Sequence, residues 1–387
     1  MFKNAFDVFS FLGFKIRIDP SWLLIAALII WSLSSSYFPG VLPGYSDLEY
    51  IALGTLSMIG LFVSLVLHEL SHSLVARRFG LKVGSITLFV FGGVAELESE
   101  PQSPKSEFWI AIAGPIMSFV LAALIWAIAQ LAEAAGTPDP LRVVFEYLGL
   151  VNLILALFNL VPAFPLDGGR VLRALLWRIK GEILPATRIA STLGSIFGVF
   201  LIGSGVFSLF STNIVAGFWQ ILIGFFVIAA SRSSYQKLQI SAALKNHSVR
   251  SLMSSPVFCA DADDTVDAVI NDVILKRNVT LVPVTEGNQL LGYVSTKSLK
   301  DIEKANWPST KLGDVYVVSD SSNTVSPDDP TEGVFEEMLR SGRSKVMVSE
   351  NGQLVGILSL ADLMKYLAIR EGLDLDRTGQ SRVEKMI

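Results

Sequence analysis

Cysteine and charge are scarce in this chain, and each scarcity closes off a class of function. One cysteine, Cys259, occurs in 387 residues, so no internal disulfide is available. The same count removes the four-cysteine and paired-cysteine zinc sites, so any zinc would have to rest on histidine and carboxylate. Charged residues make up only 17%, and 31 Lys and Arg stand against 35 Asp and Glu for a net charge of −4. With no basic surplus, a nucleic-acid partner is not expected. The first twenty residues lack a continuous apolar core and a small-residue cleavage site, so no cleavable signal peptide is expected.

Apolar residues are abundant instead. They form 51% of the chain, and the mean hydropathy is +0.52, values that point to membrane spans. They fill the chain to about Ala230, and the remainder reads as an ordinary soluble domain. Two or more domains are expected at this length.

Two of the three histidines fall in one motif, His68-Glu69-Leu70-Ser71-His72. On a helix these histidines share a face one turn apart. They can bind one zinc ion while Glu69 acts as base on water. The residues from Ile51 to Leu67 are almost all apolar, so the motif rides near the end of a membrane helix. Ionisable groups in that setting are expensive and mark function by default.

The chain divides into six spans. The first runs from Trp22 to Phe38, and the second from Ile51 to the stop at Arg77-Arg78-Phe79-Gly80. The third covers Phe108 to Leu131, with small residues from Ala113 to Ser118 permitting close helix approach. A loop with Glu133, Asp139, Arg142 and Glu146 precedes the fourth, which starts near Tyr147 and breaks in Asn159-Leu-Val-Pro-Ala-Phe-Pro-Leu-Asp167-Gly168-Gly169. A short amphipathic helix, Val171 to Ile179, leads to the last two, near Ile189–Leu209 and Ile214–Ala230. Phe11 to Ile18 alternates weakly and predicts a short interfacial strand. Leu81 to Ser99 is too short and glycine-broken for a span, and predicts extended strands near the motif. Its Gly92-Gly93 region is the candidate for holding an unwound substrate by strand addition; the plainer reading is a hairpin covering a helix end. With the N-terminus in the cytosol, every Lys and Arg up to Lys237 falls inside except Arg142. That topology brings the ends of spans two and four to one side, so His68, His72 and Asp167 can meet.

The tail repeats itself. Val284 to Ser295 aligns without a gap on Val348 to Ser359, each copy reading as strand, turn, strand and helix start. These units resemble a pair of CBS domains, about 247–303 and 311–370. The resemblance implies that a Ser with an Asp three residues on contacts a nucleotide ribose. Ser359 and Asp362 match, whereas Ser295 is followed by Ser298, so one site for an adenine nucleotide (ATP or AMP) is expected. A purely dimerising module is the alternative.

The membrane half resembles the site-2 protease family of intramembrane zinc metalloproteases. The resemblance covers roughly residues 10–230 and rests on His68-Glu69-Leu-Ser-His72, Gly114-Pro115 and Asn159 through Gly168. It implies one zinc per chain on His68, His72 and Asp167, Glu69 as general base, and Asn159 helping to hold substrate or oxyanion. The family often carries Asn where this chain has Ser118, so no role passes to that position. The expected fold is a polytopic α-helical membrane protein, six transmembrane helices with a re-entrant or β-hairpin element, plus a soluble α/β CBS-pair domain. The expected domains are 1–240 and 241–387. The expected activity is cleavage of transmembrane or membrane-associated proteins near the cytosolic face of the cell membrane. The N-terminus and the CBS pair would be cytosolic, the latter regulating activity and pairing two chains. The competing readings are a zinc protease of another membrane class, an inactive relative, and a CBS-gated transporter or channel. The transporter would predict polar residues spread along several spans, whereas here they concentrate at His68–His72 and Asn152–Asp167.

Overall fold

The computed structural model describes residues 5–97, 100–136, 138–210 and 214–372. The chain divides into two compact units, Met1–Lys237 and Leu238–Ile387.

The first unit opens with β1 (Phe6–Phe11) and β2 (Phe14–Ile18), an antiparallel pair. The single strand expected over Phe11–Ile18 is instead one arm of a hairpin that reverses at Leu12–Gly13, where both residues have positive φ. Arg77 Nη1 donates to the Leu12 carbonyl at 3.0 Å and fastens that turn. Helix α1 (Pro20–Ser32) starts on Asp19, whose carboxylate accepts from the Ser21 N–H, with proline at the first helical position. It continues through a π-helical turn, Leu33–Tyr37, into α2 (Phe38–Val41). Helix α3 (Asp47–Arg78) carries the histidine motif. A capping box between Ser46 and Glu49 begins it, and Arg77 and Arg78 oppose its dipole at the end.

Strands β3 (Val83–Phe89) and β4 (Gly92–Leu97) follow and join the first two in the order β1-β2-β3-β4. Alternation buries Phe14, Ile16 and Ile18 on β2 and Ile86 and Leu88 on β3. They pack on Trp22 and Ala26 of α1 and on Met58, Val66 and Leu70 of α3. The sheet therefore lies on the helix that carries the histidines, and β4 forms one of its edges.

The remaining helices are α4 (Pro104–Ala134), α5 (Asp139–Asn159), α6 (Asp167–Lys180), α7 (Ile183–Phe210) and α8 (Ile214–Leu244). Several boundaries differ from the sequence expectation: α7 begins at Ile183 rather than near Ile189, α8 runs on to Leu244 rather than ending near Ala230, and the starts of α5 and α6 move as well. Helix α5 begins at Asp139, not near Tyr147, because Arg142 lies 3.6 Å from Glu133, 3.5 Å from Asp139 and 3.2 Å from Glu146. These charges satisfy one another at helix ends. Helix α6 begins at Asp167, not Val171, so the aspartate belongs to its first turn.

Among the described residues, six helical stretches are long and apolar enough to cross a membrane: Pro20–Val41, Asp47–Arg78, Pro104–Ala134, Asp139–Asn159, Ile183–Phe210 and Ala216–Leu244. They expose residues such as Leu24, Ile59, Leu124, Ile154, Phe200 and Phe218. Outer surfaces this apolar fit lipid rather than water. The chain is a multi-pass membrane protein.

The second unit contains α9 (Val249–Leu252), β5 (Ala260–Asp261), α10 (Val266–Ala268), β6 (Leu281–Glu286), β7 (Gln289–Ser295) and α11 (Thr296–Leu299). Then come β8 (Val317–Val318), β9 (Thr324–Val325), α12 (Thr331–Ser341), β10 (Lys345–Glu350), β11 (Gln353–Ser359) and α13 (Leu360–Gly372). The repeat in the sequence is a repeat in space. The hairpins β6–β7 and β10–β11 shift register at equivalent points, after Val284 and after Val348. The equivalent residues Gln289 and Gln353 pair with each other where β7 meets β11. Each copy buries its own core, Val282, Val284 and Val294 in one and Val346, Val348 and Leu358 in the other.

Leu358 is fully buried, so Leu358→Ala is expected to lower the stability of the second unit by about 2–5 kcal/mol. Hydrogen exchange on the full chain should show faster exchange in β10 and β11, with α4 and α5 unchanged.

Candidate metal centre

Helical spacing puts His68 and His72 on one face of α3, and both are buried, at 3% and 6% exposure. Asp167, in the first turn of α6, meets them. Its Oδ2 lies 3.2 Å from His68 Nε2 and 3.3 Å from His72 Nε2, and the two Nε2 atoms are 3.2 Å apart. The three donor atoms form a nearly equilateral triangle. A tetrahedral zinc ion with bonds of about 2.0–2.1 Å sets its donors roughly 3.3 Å apart. The triangle has the edge such an ion requires, and three protein donors leave a fourth position open.

The far side of each imidazole is held by α4. His72 Nδ1 donates to the Ile110 carbonyl at 2.6 Å. A carbonyl can only accept, so that nitrogen carries the proton and Nε2 keeps its lone pair for a metal. His68 Nδ1 lies 2.9 Å from Ser118 Oγ. Between these two contacts, α4 presents Gly114. A Cβ built there would overlap both Nε2 atoms, so only glycine leaves the donor space free.

The break between α5 and α6 delivers Asp167. Helix α5 stops at Asn159, the Phe164–Pro165 bond is cis, and Leu166 is extended before the helix restarts. Gly168 lets the first turn of α6 approach the Leu160 and Val161 carbonyls, where a Cβ would collide.

Glu69 is half-buried and lies against β4: a Cβ at Gly93 would overlap its Cγ and Cδ. The edge strand and the candidate base are thus in direct contact. Asn159 closes α5, half-buried, and takes no part in the hydrogen bonds joining His68, His72 and Asp167. Ser359 and Asp362 belong to the second unit. There the Asp362 carboxylate accepts from the Ser359 N–H at 3.0 Å and from its hydroxyl at 2.5 Å, capping α13. The sequence reading missed Ser118 and the Ile110 carbonyl as supports of the histidines. The available signal was spacing, since Gly114 and Ser118 repeat on α4 the four-residue interval of His68 and His72 on α3.

The sequence matches peptidase family M50 over residues 56–142 and 128–202, and the CBS domain over residues 249–304 and 312–369. Rip3 of Mycobacterium tuberculosis is 33% identical over 369 residues, covering 95% of this chain and 94% of the relative. The zinc metalloprotease MJ0392 of Methanocaldococcus jannaschii is 30% identical over 364 residues, covering 94% and 96%. Among solved structures, the site-2 protease from Methanocaldococcus jannaschii is 31% identical, with a TM-score of 0.43, covering 59% of this chain and 94% of that one.

The Gly114→Ala substitution is expected to remove most bound zinc, and Ser118→Ala to weaken zinc binding by about 10–100-fold. Elemental analysis and chelator competition check both. Parent-like zinc in folded Gly114→Ala would place the metal elsewhere.

Proposed function

The chain belongs to the site-2 protease family, peptidase family M50, with a CBS pair behind the membrane part, and from that membership we propose how its zinc metalloprotease activity is carried out and on what. Membership sets aside the transporter reading. We assign the zinc ligands to His68, His72 and Asp167, with one ion per chain. The donor triangle with edges of 3.2–3.3 Å carries this assignment. Bound there, zinc supplies the Lewis acidity that makes water nucleophilic near neutral pH.

The protein residues do the rest. Glu69 takes the proton from the attacking water and returns it to the leaving amine nitrogen. Ser118 and the Ile110 carbonyl keep both imidazoles oriented. Strand β4 holds the substrate backbone extended through its free edge, beside Glu69. Asn159 faces the substrate or the oxyanion from the end of α5. The substrates are transmembrane or membrane-associated proteins, because a sheet edge beside Glu69 among apolar helices suits a locally unwound helix.

Cleavage occurs near the cytosolic face, an orientation supported by the Lys and Arg distribution. The membrane protease domain spans 1–240, and the CBS pair, 241–387, lies in the cytosol. The pair regulates access and brings two chains together, with an adenine nucleotide at Ser359 and Asp362.

Purified parent and Glu69→Gln are expected to hold about one zinc per chain, and Asp167→Ala to lose it. On a reporter transmembrane substrate, Glu69→Gln should cut cleavage by about 10²–10⁴-fold. Folded parent without zinc, or Glu69→Gln cutting at the parent rate, would sink the scheme. Adding ATP or AMP is expected to change the cleavage rate of the parent but not of Asp362→Ala; an unaltered parent rate and CBS conformation would remove the regulatory role.

A further inference from the structure

Glu107 has no part in the zinc chemistry, yet it is fully buried on α4, where an isolated carboxylate is expensive. Its Oε1 accepts from Arg173 Nε at 2.6 Å and also from Arg173 Nη2, and Arg170 Nε lies 4.0 Å away. Its Oε2 has no partner among the described residues. A buried ion pair is weak evidence for stability, because desolvation offsets its attraction. What distinguishes this pair is where its two arms are mounted.

On α4, Glu107 shares a face with Ile110, Gly114 and Ser118, the three residues that meet the imidazoles. On α6, Asp167, Arg170 and Arg173 recur every three residues. The Arg173 guanidinium also lies over the Phe164 ring, 5.2 Å from its centroid, and Phe164 belongs to the break that delivers Asp167. One cation thus joins α4, α6 and the break. Leu166, at the N-cap, supplies no side-chain cap to α6. With no side-chain cap there, Asp167 is placed by the backbone packing of the break and by the docking of α6.

We infer that Glu107 and Arg173 form a positioning pair that sets α6 on α4 and thereby keeps Asp167 Oδ2 in the donor triangle. The inference rests on the zinc assignment above. A ligand oxygen serves a metal only within about 0.2 Å of its proper distance, so a small slip of α6 is enough to weaken binding. The guanidinium fork gives two directed bonds to one oxygen and so fixes orientation as well as charge. A lysine ammonium would supply the charge alone.

The test compares the parent with Glu107→Gln, Arg173→Lys and the double variant Glu107→Gln/Arg173→Met, all as full chains in detergent. The readouts are zinc affinity by chelator competition, the visible spectrum after cobalt substitution, and thermal unfolding of the metal-free form. Zinc affinity should fall about 10–100-fold in each variant, with an altered cobalt spectrum. The double variant, which removes both buried charges, should unfold near the parent temperature. Parent-like zinc affinity in folded Arg173→Lys and in the double variant would overturn the positioning role and leave the zinc assignment standing. Failure of all variants to fold would overturn it too, assigning the pair to stability. A folded parent that binds no zinc would instead overturn the assignment beneath it.

Discussion

In a membrane protein the interior offers no water to buried polar groups, so each must find its partner in the protein or in a ligand. The meeting of Asp167 with His68 and His72 is where this constraint bears hardest. Three polar side chains converge within 3.3 Å of one another among helices whose outer faces are apolar. The surroundings answer each remaining polar group: the Ile110 carbonyl accepts from Nδ1–H of His72, Ser118 Oγ meets Nδ1 of His68, and Gly114 withholds a side chain. A zinc ion held as proposed by His68, His72 and Asp167 would accept the three lone pairs that otherwise face one another.

The irregular parts of the membrane unit serve this one place. A straight continuation of α5 would carry the chain past the histidines; the break after Asn159 turns it back and restarts the helix at Asp167. Ser231 donates from α8 to the Phe164 carbonyl, and Phe164 N–H bonds the Ala190 carbonyl of α7. Backbone freed by the break is thereby satisfied by neighbouring helices, as non-helical chain at membrane depth requires. The sheet does the corresponding work for α3. Its inner face is an apolar platform for the motif helix, and its outer edge, β4, is left beside Glu69.

The six apolar stretches, the histidine motif and the duplicated tail were legible in the sequence because each depends on local period or exact repetition. Spacing alone placed His68 and His72 on one face, and the positive-inside count brought Asp167 to the same side. Less legible was whatever depends on two distant segments at once. The reversal at Leu12–Gly13 depends on β2 pairing with β3 as well as with β1. The early start of α5 depends on Glu133 of the preceding helix reaching Arg142. Ser118 and Ile110 could not be assigned to the histidines without knowing how α4 packs on α3, and no residue type announces a backbone carbonyl that accepts from a histidine.

The soluble unit shows how one residue pattern can satisfy two demands. Ser295 with Ser298 and Ser359 with Asp362 form the same reciprocal cap at the start of a helix. Helix capping therefore accounts for a serine at both positions without any ligand. The two copies differ in the charge, for Asp362 alone brings a carboxylate, and its Oδ1 also accepts from Ser254 Oγ at 3.1 Å. Ser254 in turn pairs its backbone with Ile357 of β11. A ribose hydroxyl reaching Asp362 would share this carboxylate with Ser254 and Ser359. Through Ser254 that carboxylate is tied to the segment after α9, whereas the first copy, with Ser298 in place of an acid, has no carboxylate there.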